Sequence, residues 1–320
     1  MTARIPKILV FCPDAAQAQR YQELVLACHP GAPVATAKTE DEAEPHIEET
    51  EILLGWQVPA GLLQRATRLQ WMQKTGAGVE DLVLGDVLPR HVVLTRCDGA
   101  ILAPRMIEYV FGAIYAHTQK FHLAWEQQQR REWRYYMVDR AEGAMLGVAG
   151  LGDIGGAIAR RAVASGFKVI GWRRSPRAEP GLERVFAGRE HLKEFMALCD
   201  YLVLVLPLTP STSGMFNADV LSSARKGCFL INIGRGAVIV ENDLVHALKC
   251  GPLGGAMLDV FAEEPLPFNH LLWTLPNLHL TPHVSGPIVP EDVAPFFLEN
   301  LDLYLHGRPL LREVDRALGY

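Results

Sequence analysis

Three polar residues in this chain fall where apolar runs end. Arg235 follows the run CFLINI inside Gly234-Arg235-Gly236, Glu264 lies in Asp259-Val260-Phe261-Ala262-Glu263-Glu264-Pro265, and His283 sits in Thr281-Pro282-His283-Val284. A guanidinium at such a position can grip a carboxylate with a forked pair of hydrogen bonds and polarise a neighbouring carbonyl. Histidine is the side chain best suited to pass a proton near neutral pH, and a carboxylate beside it keeps it charged as the acid. Singly, each has an ordinary reading: a lone Arg or Glu on a loop is a solvated charge, and a lone His is structural, as the other ten histidines are read. What separates these three is their shared place at successive strand ends beside a glycine turn.

That turn follows the apolar run MLGVA and reads Gly150-Leu151-Gly152-Asp153-Ile154-Gly155. A GxGxxG alone is weak, but one that ends a strand and opens a helix gives each glycine a distinct role. The first makes a tight turn, the second lets backbone approach a pyrophosphate closely, and the third lets helix pack against strand. The first-turn amides near Asp153 and Ile154 would face the phosphates with the helix dipole behind them. Roughly twenty residues on, an NAD site presents an acid to the ribose hydroxyls. This chain presents Trp172-Arg173-Arg174-Ser175, two guanidiniums and a hydroxyl that suit a 2'-phosphate, so NADP(H) is preferred and NAD(H) is the alternative. Leu206-Pro207-Leu208-Thr209-Pro210-Ser211-Thr212 adds a stiff proline-bounded loop at the next strand end.

The elements that must position these groups are read from periodicity. In the first hundred residues the apolar runs 7–11, 52–55, 69–74 and 92–95 alternate with helical patterns, of which 15–28 is the clearest, and this implies a parallel sheet covered on both faces. A long helix is expected from about Pro104 to Gln129, with Pro104 in its first turn and Ile107, Val110, Phe111, Ile114 and Tyr115 on one face. A second series follows, with strands expected at 145–149, 168–172, 201–206, 228–233 and 253–258 and helices at 154–165, 190–198, 218–224 and 241–249: a doubly wound arrangement. A last helix, 290–306, is expected to return to the first domain. The acidic run 39–51 reads as a solvated helix face.

Composition bounds the rest. The 320 residues suggest two domains, and 49% hydrophobic residues suffice for two cores. A net charge of -5 gives no basic excess, which disfavours a nucleic-acid partner. The longest strongly apolar stretch, 201–208, is far short of the roughly 20 residues of a membrane span, and the start shows no secretory pattern. The six cysteines, at 12, 28, 97, 199, 228 and 250, form no CxxC pair; they are expected to be reduced, mostly buried thiols of a cytoplasmic protein, with no metal site.

Taken together, the motifs make the chain similar to the D-isomer-specific 2-hydroxyacid dehydrogenase family. The resemblance rests on Gly150 to Gly155, Pro207 to Thr209, Asn232 to Gly236, Asp259 to Pro265 and Thr281 to His283, in family order, and extends to Thr75-Gly76-Ala77-Gly78-Val79. Within the family, the segments 172–175, 255–261 and 314–320 look like the branch that reduces glyoxylate and hydroxypyruvate. The resemblance implies a Rossmann nucleotide domain over 102–286 and a smaller, discontinuous flavodoxin-like α/β substrate domain from 1–101 and 287–320, in a homodimer. It implies reduction of a small 2-oxo acid to a 2-hydroxy acid by hydride from NADPH. Arg235 would orient the substrate, His283 would protonate the carbonyl oxygen, and Glu264 would hold His283. Backbone at Gly76, Ala77 and Gly78 would take the carboxylate, with Trp56 lining the pocket. Leu206, Pro207, Thr212, Ile233, Gly234, Asp259, His283 and Ser285 would line the cofactor, Asp259 at the nicotinamide carboxamide. Lys74 and the run Ser285-Gly286-Pro287-Ile288 depart from the branch's pattern and leave the choice of substrate open. The same family fold also serves NAD-dependent dehydrogenases and NAD(H)-sensing corepressors; the absent ribose-binding acid argues against both.

Overall fold

A computed structural model describes residues 4–83 and 87–319; of the C-terminal segment used above, Tyr320 lies outside it. In chain order it runs β1 (Ile8–Phe11), α1 (Ala15–Cys28), β2 (Val34–Ala37), α2 (Glu40–Ile47), β3 (Ile52–Gly55), α3 (Ala60–Arg65), β4 (Trp71–Lys74), α4 (Glu80–Val83), β5 (Val93–Thr95) and α5 (Gly99–Thr118). Then come α6 (Phe121–Arg130), β6 (Met145–Ala149), α7 (Asp153–Ala164), β7 (Lys168–Arg173), β8 (Arg184–Ala187), α8 (Leu192–Leu198), β9 (Tyr201–Leu204) and α9 (Ala218–Leu221). The last elements are β10 (Cys228–Asn232), α10 (Glu241–Lys249), β11 (Leu253–Leu258), β12 (Leu278–Leu280) and α11 (Pro290–Leu305). The chain forms two compact units: a terminal unit of residues 1–101 with 288–320, and a central unit of residues 102–287.

The terminal unit holds a five-stranded parallel sheet in the order β2-β1-β3-β4-β5, the flavodoxin-like order. Strands β1 and β3 are buried at every residue, as sheets covered on both faces require. Helix α1 starts where the Asp14 carboxylate accepts from the Ala16 and Gln17 amides. Helix α11 closes one face through a three-ring stack: Trp71 lies 5.1 Å from Phe297 and 5.6 Å from Tyr304, centroid to centroid. Trp71 has no solvent exposure, and its Nε1 donates to the Thr95 hydroxyl at 2.7 Å.

The central unit holds seven parallel strands in the order β12-β11-β10-β9-β6-β7-β8, the Rossmann order with one strand added. Strands β9 and β10 are buried throughout. Since all strands run one way, their carboxyl ends share one edge. The order reverses between β6 and β9, and the loops that follow these two strands flank the crevice where ligands of such sheets bind.

The structure corrects several expectations. The central sheet has seven strands where five were expected, because β8 and β12 are short, half-exposed edge strands with weak apolar runs. β2, reading VATA, escaped for the same reason. The long helix is two helices, broken where Lys120 takes φ 52°, in the left-handed region. Its start is Gly99, so Pro104 is the sixth helical residue and not a first-turn proline. Of the six cysteines, all free, Cys97, Cys199 and Cys228 are buried; Cys28 and Cys250 are exposed and Cys12 is intermediate.

Trp71→Ala should cost about 3–5 kcal/mol, because it removes the ring under α11 and the indole donor to the Thr95 hydroxyl. Trp133→Ala, at a fully exposed ring, should stay within about 0.5 kcal/mol. Urea unfolding of both variants, read by circular dichroism, checks the contrast.

Candidate active site

The glycine turn leaves β6 at Gly150, whose φ of 104° is open to glycine and few other residues. A Cβ at Gly155 would lie 1.8 Å from the Gly150 carbonyl oxygen, so helix α7 packs on the turn only because that position has no side chain. At Gly152, the residue before α7, a Cβ would meet nothing within 4 Å. Open space therefore lies over the start of a 12-residue helix, where backbone amides and the helix dipole favour an anion. The next strand, β7, ends at Arg173. Its Nη1 is buried without a hydrogen-bond partner, and Arg174 and Ser175 follow on the surface. An orphaned, buried guanidinium nitrogen near an open helix start fits a dinucleotide that carries an extra phosphate.

The loop after β9 is braced by its own hydroxyls. Thr212 donates to the Pro207 carbonyl at 2.6 Å and accepts from the Thr209 amide at 2.8 Å. The loop after β10 packs on it: a Cβ at Gly234 would lie 2.8 Å from the Leu206 carbonyl oxygen. Asn232, nearly fully buried, clips the second loop at both ends, donating to the Arg235 carbonyl and accepting from the Gly234 amide, each at 3.1 Å. That holds Arg235, whose Nη1 also donates to the Gly234 carbonyl at 2.7 Å. A Cβ at Gly236 would strike the Phe261 backbone, which ties this loop to the one after β11.

His283 and Glu264 meet at 2.8 Å, Nδ1 to Oε2, and each side chain is one-third exposed. The other Glu264 oxygen accepts from the Phe261 amide at 2.9 Å, which fixes the carboxylate. His283 itself is held at φ 55°, unusual outside glycine, with its amide donating to the carbonyls of Asp259 and Thr281. The Asp259 side chain, wholly buried, accepts from the Thr281 hydroxyl at 2.6 Å and from the Val284 and Ser285 amides at 2.8 Å. Thr281 has one hydroxyl proton, spent on Asp259, so the Tyr109 hydroxyl, 2.6 Å away, must be the donor in the Tyr109–Thr281 contact. Burial pushes the Tyr109 hydroxyl up, which keeps its proton on.

The residues expected from the sequence thus fall into two sets. Gly150, Gly152, Asp153, Ile154, Gly155, Arg173, Leu206, Ile233, Gly234, Arg235, Asp259, Glu264, His283 and Ser285 gather along one edge of the central sheet. Trp56, Gly76, Ala77 and Gly78 gather in the terminal unit. There the Trp56 ring lies so close over Gly76 that a Cβ would come 2.3 Å from it. The buried Lys74 side chain pairs with Asp81 across this same loop. Sequence reasoning missed Tyr109 and the bracing roles of Asn232 and Asp81. Tyr109 carries no motif, only a helical position between Met106 and Val110, both buried. A histidine whose Nδ1 meets a carboxylate leaves proton transfer to Nε2, and an arginine on the neighbouring loop can bind an acid. The set is equipped for acid catalysis on a carbonyl of an anionic substrate.

Residues 111–285 match the family model for the D-isomer specific 2-hydroxyacid dehydrogenase NAD binding domain. The chain is 33% identical over 272 residues to the glyoxylate/hydroxypyruvate reductase A of Serratia proteamaculans, covering 83% of this chain and 87% of that one. Among solved structures it superposes with a TM-score of 0.89 on the NADPH-dependent glyoxylate/hydroxypyruvate reductase of Sinorhizobium meliloti in complex with NADP and sulfate, at 31% identity, covering 98% of this chain and 100% of that one. A D-isomer specific 2-hydroxyacid dehydrogenase from Xanthobacter autotrophicus in complex with NADPH and MES superposes equally well, at 35% identity and the same coverage. With more than half its length matched by the model and relatives of this identity along most of the rest, the chain belongs to the D-isomer-specific 2-hydroxyacid dehydrogenase family.

Proposed function

We propose that this protein reduces small 2-oxo acids, glyoxylate and hydroxypyruvate foremost, to 2-hydroxy acids with NADPH. The observation that carries the reading is the 2.8 Å His283–Glu264 pair on the sheet edge that also bears the Gly150–Gly155 turn and Arg173. It is supported by the activity for which the relatives from Serratia and Sinorhizobium are named and by the nucleotide bound in the latter.

In this reading Gly150, Gly152, Asp153, Ile154 and Gly155 hold the pyrophosphate on backbone amides. Arg173, Arg174 and Ser175 hold the 2'-phosphate. Leu206, Pro207, Thr212, Ile233 and Gly234 bound the cofactor's path, and Asp259, His283 and Ser285 lie at its nicotinamide end. NADPH, when bound, supplies the hydride. Arg235 orients the 2-oxo acid and draws charge toward its carbonyl oxygen. Nε2 of His283 delivers a proton to that oxygen, while the Glu264 carboxylate, bonded to Nδ1, fixes the orientation of the ring. Gly76, Ala77 and Gly78 bind the substrate carboxylate by backbone amides, and Trp56 limits the room for the substrate's far end. The pairing of the buried Lys74 with the exposed Asp81 keeps the loop's backbone set.

We also propose that the protein is a homodimer. The central unit exposes Tyr115, Phe121, Trp125, Trp133, Tyr135, Met137 and Val138 within one short stretch of chain, and exposed apolar side chains gathered in this way suit an interface. A second copy of the chain covers it in a self-complementary pairing.

Purified protein should oxidise NADPH with glyoxylate and with hydroxypyruvate in a spectrophotometric panel of 2-oxo acids; no turnover on any of them with either nucleotide would end the reading. His283→Ala should lower kcat by about 10²–10⁴-fold with unchanged circular dichroism. Arg173→Asp should cut the ratio of NADPH to NADH kcat/KM more than about tenfold, which corresponds to about 1.4 kcal/mol of differential binding. Light scattering should give twice the mass of one chain, and a monomer at micromolar concentration would exclude the dimer.

A further inference from the structure

Beside the glycine turn, the chain places an anion of its own where the cofactor's extra phosphate is expected. Glu179, in the loop after β7, lies between two guanidiniums: its Oε1 is 3.4 Å from Arg160 Nη1 and its Oε2 is 3.9 Å from Arg173 Nη1. Its side chain is only 18% exposed, whereas neither contact is a good hydrogen bond; one is at the outer limit and the other beyond it. The Arg173 nitrogen stays without a hydrogen-bond partner despite the carboxylate nearby. The trio also lies against α7. A Cβ at Gly156, in the first turn of that helix, would meet Arg160 Nη1 at 3.2 Å and Glu179 Oε1 at 3.8 Å.

We propose that Glu179 is a built-in competitor for the 2'-phosphate, a carboxylate that holds Arg160 and Arg173 in place in the free enzyme and is displaced when NADPH binds. Arg160 thereby becomes a further guanidinium of the phosphate seat. A carboxylate brings one negative charge at two distances too long to satisfy both partners. A phosphate monoester brings close to two charges and three acceptor oxygens, enough to satisfy the orphaned Nη1 and its neighbour together. NADH has no such group and leaves the Glu179 contacts undisturbed. The residue therefore acts on one cofactor only: it lowers the affinity for NADPH without touching that for NADH, and so sets how far the enzyme discriminates between them. The inference rests on the NADPH reading given above.

Dissociation constants for NADPH and for NADH, measured by nucleotide fluorescence on wild type, Glu179→Gln and Arg160→Ala, test it. Glu179→Gln should bind NADPH at least about threefold more tightly at low salt and NADH within about twofold of wild type. The gain should shrink at about 0.5 M salt, where charges are screened over a few ångströms. Arg160→Ala should weaken NADPH at least about threefold and leave NADH unchanged. A Glu179→Gln protein that binds NADPH no better, or binds both nucleotides better alike, overturns the proposal. If wild type shows no preference for NADPH over NADH, the cofactor reading beneath it fails instead.

Discussion

A carboxylate with no access to solvent must find its donors inside the protein, and Asp259 finds three within one short segment. Its oxygens take the Thr281 hydroxyl and the amides of Val284 and Ser285, and its own carbonyl takes the amide of His283. Losing any of these would leave a buried charge underserved, at a cost of about 1–3 kcal/mol or more. The segment after β12 therefore has one way to lie against the end of β11, and that way puts His283 at a positive φ. Such a backbone costs on the order of 1–3 kcal/mol and persists only where its surroundings over-determine it. Four hydrogen bonds do so here. The orientation of the imidazole toward Glu264 is a consequence of a buried aspartate, which Tyr109 backs from the far side through Thr281.

The neighbouring loops follow the same economy. Strands β6, β7, β9, β10, β11 and β12 each deliver site residues to a shared edge, and the loops after β9, β10 and β11 are fixed by bonds within themselves: Thr212 within its own turn, Asn232 around Gly234 and Arg235, and Phe261 to Glu264. Close approach replaces side-chain packing at Gly155, Gly234 and Gly236, where a Cβ would strike backbone. The edge is thus a row of rigid loops on a rigid sheet, which suits a site whose reacting groups must be set before the substrate arrives.

Much of this was legible in the sequence, for identifiable reasons. β6, β11 and α10 stand at the bounds read from periodicity, because buried parallel strands are continuous apolar runs and the α10 helix has a clear apolar stripe. The edge strands β2, β8 and β12 were not legible: a strand with one neighbour and a half-wet surface needs no continuous apolar run. The break at Lys120 left no proline or glycine to mark it. Among site residues, those in motifs could be found because the motif fixes the loop. Glu179 and Tyr109 could not. Their roles depend on which residue of another element the fold brings opposite, Arg160 for the one and Thr281 for the other, and no local spacing encodes that.

The composition of the terminal unit from both ends of the chain has a consequence for how the protein is made. The central unit is one unbroken segment and has all its strands once residue 280 has been synthesised. The terminal unit cannot finish until α11 exists, since Trp71 in β4 is covered by Phe297 and Tyr304. During synthesis from the N-terminus, the segment up to residue 101 must wait, with an apolar sheet face open, while the whole interrupting unit is built and folds. Order of assembly is thereby inverted relative to order of sequence: the segment translated earlier is completed later, by the docking of α11 and of the residues after it that pair with Thr95 and Leu88.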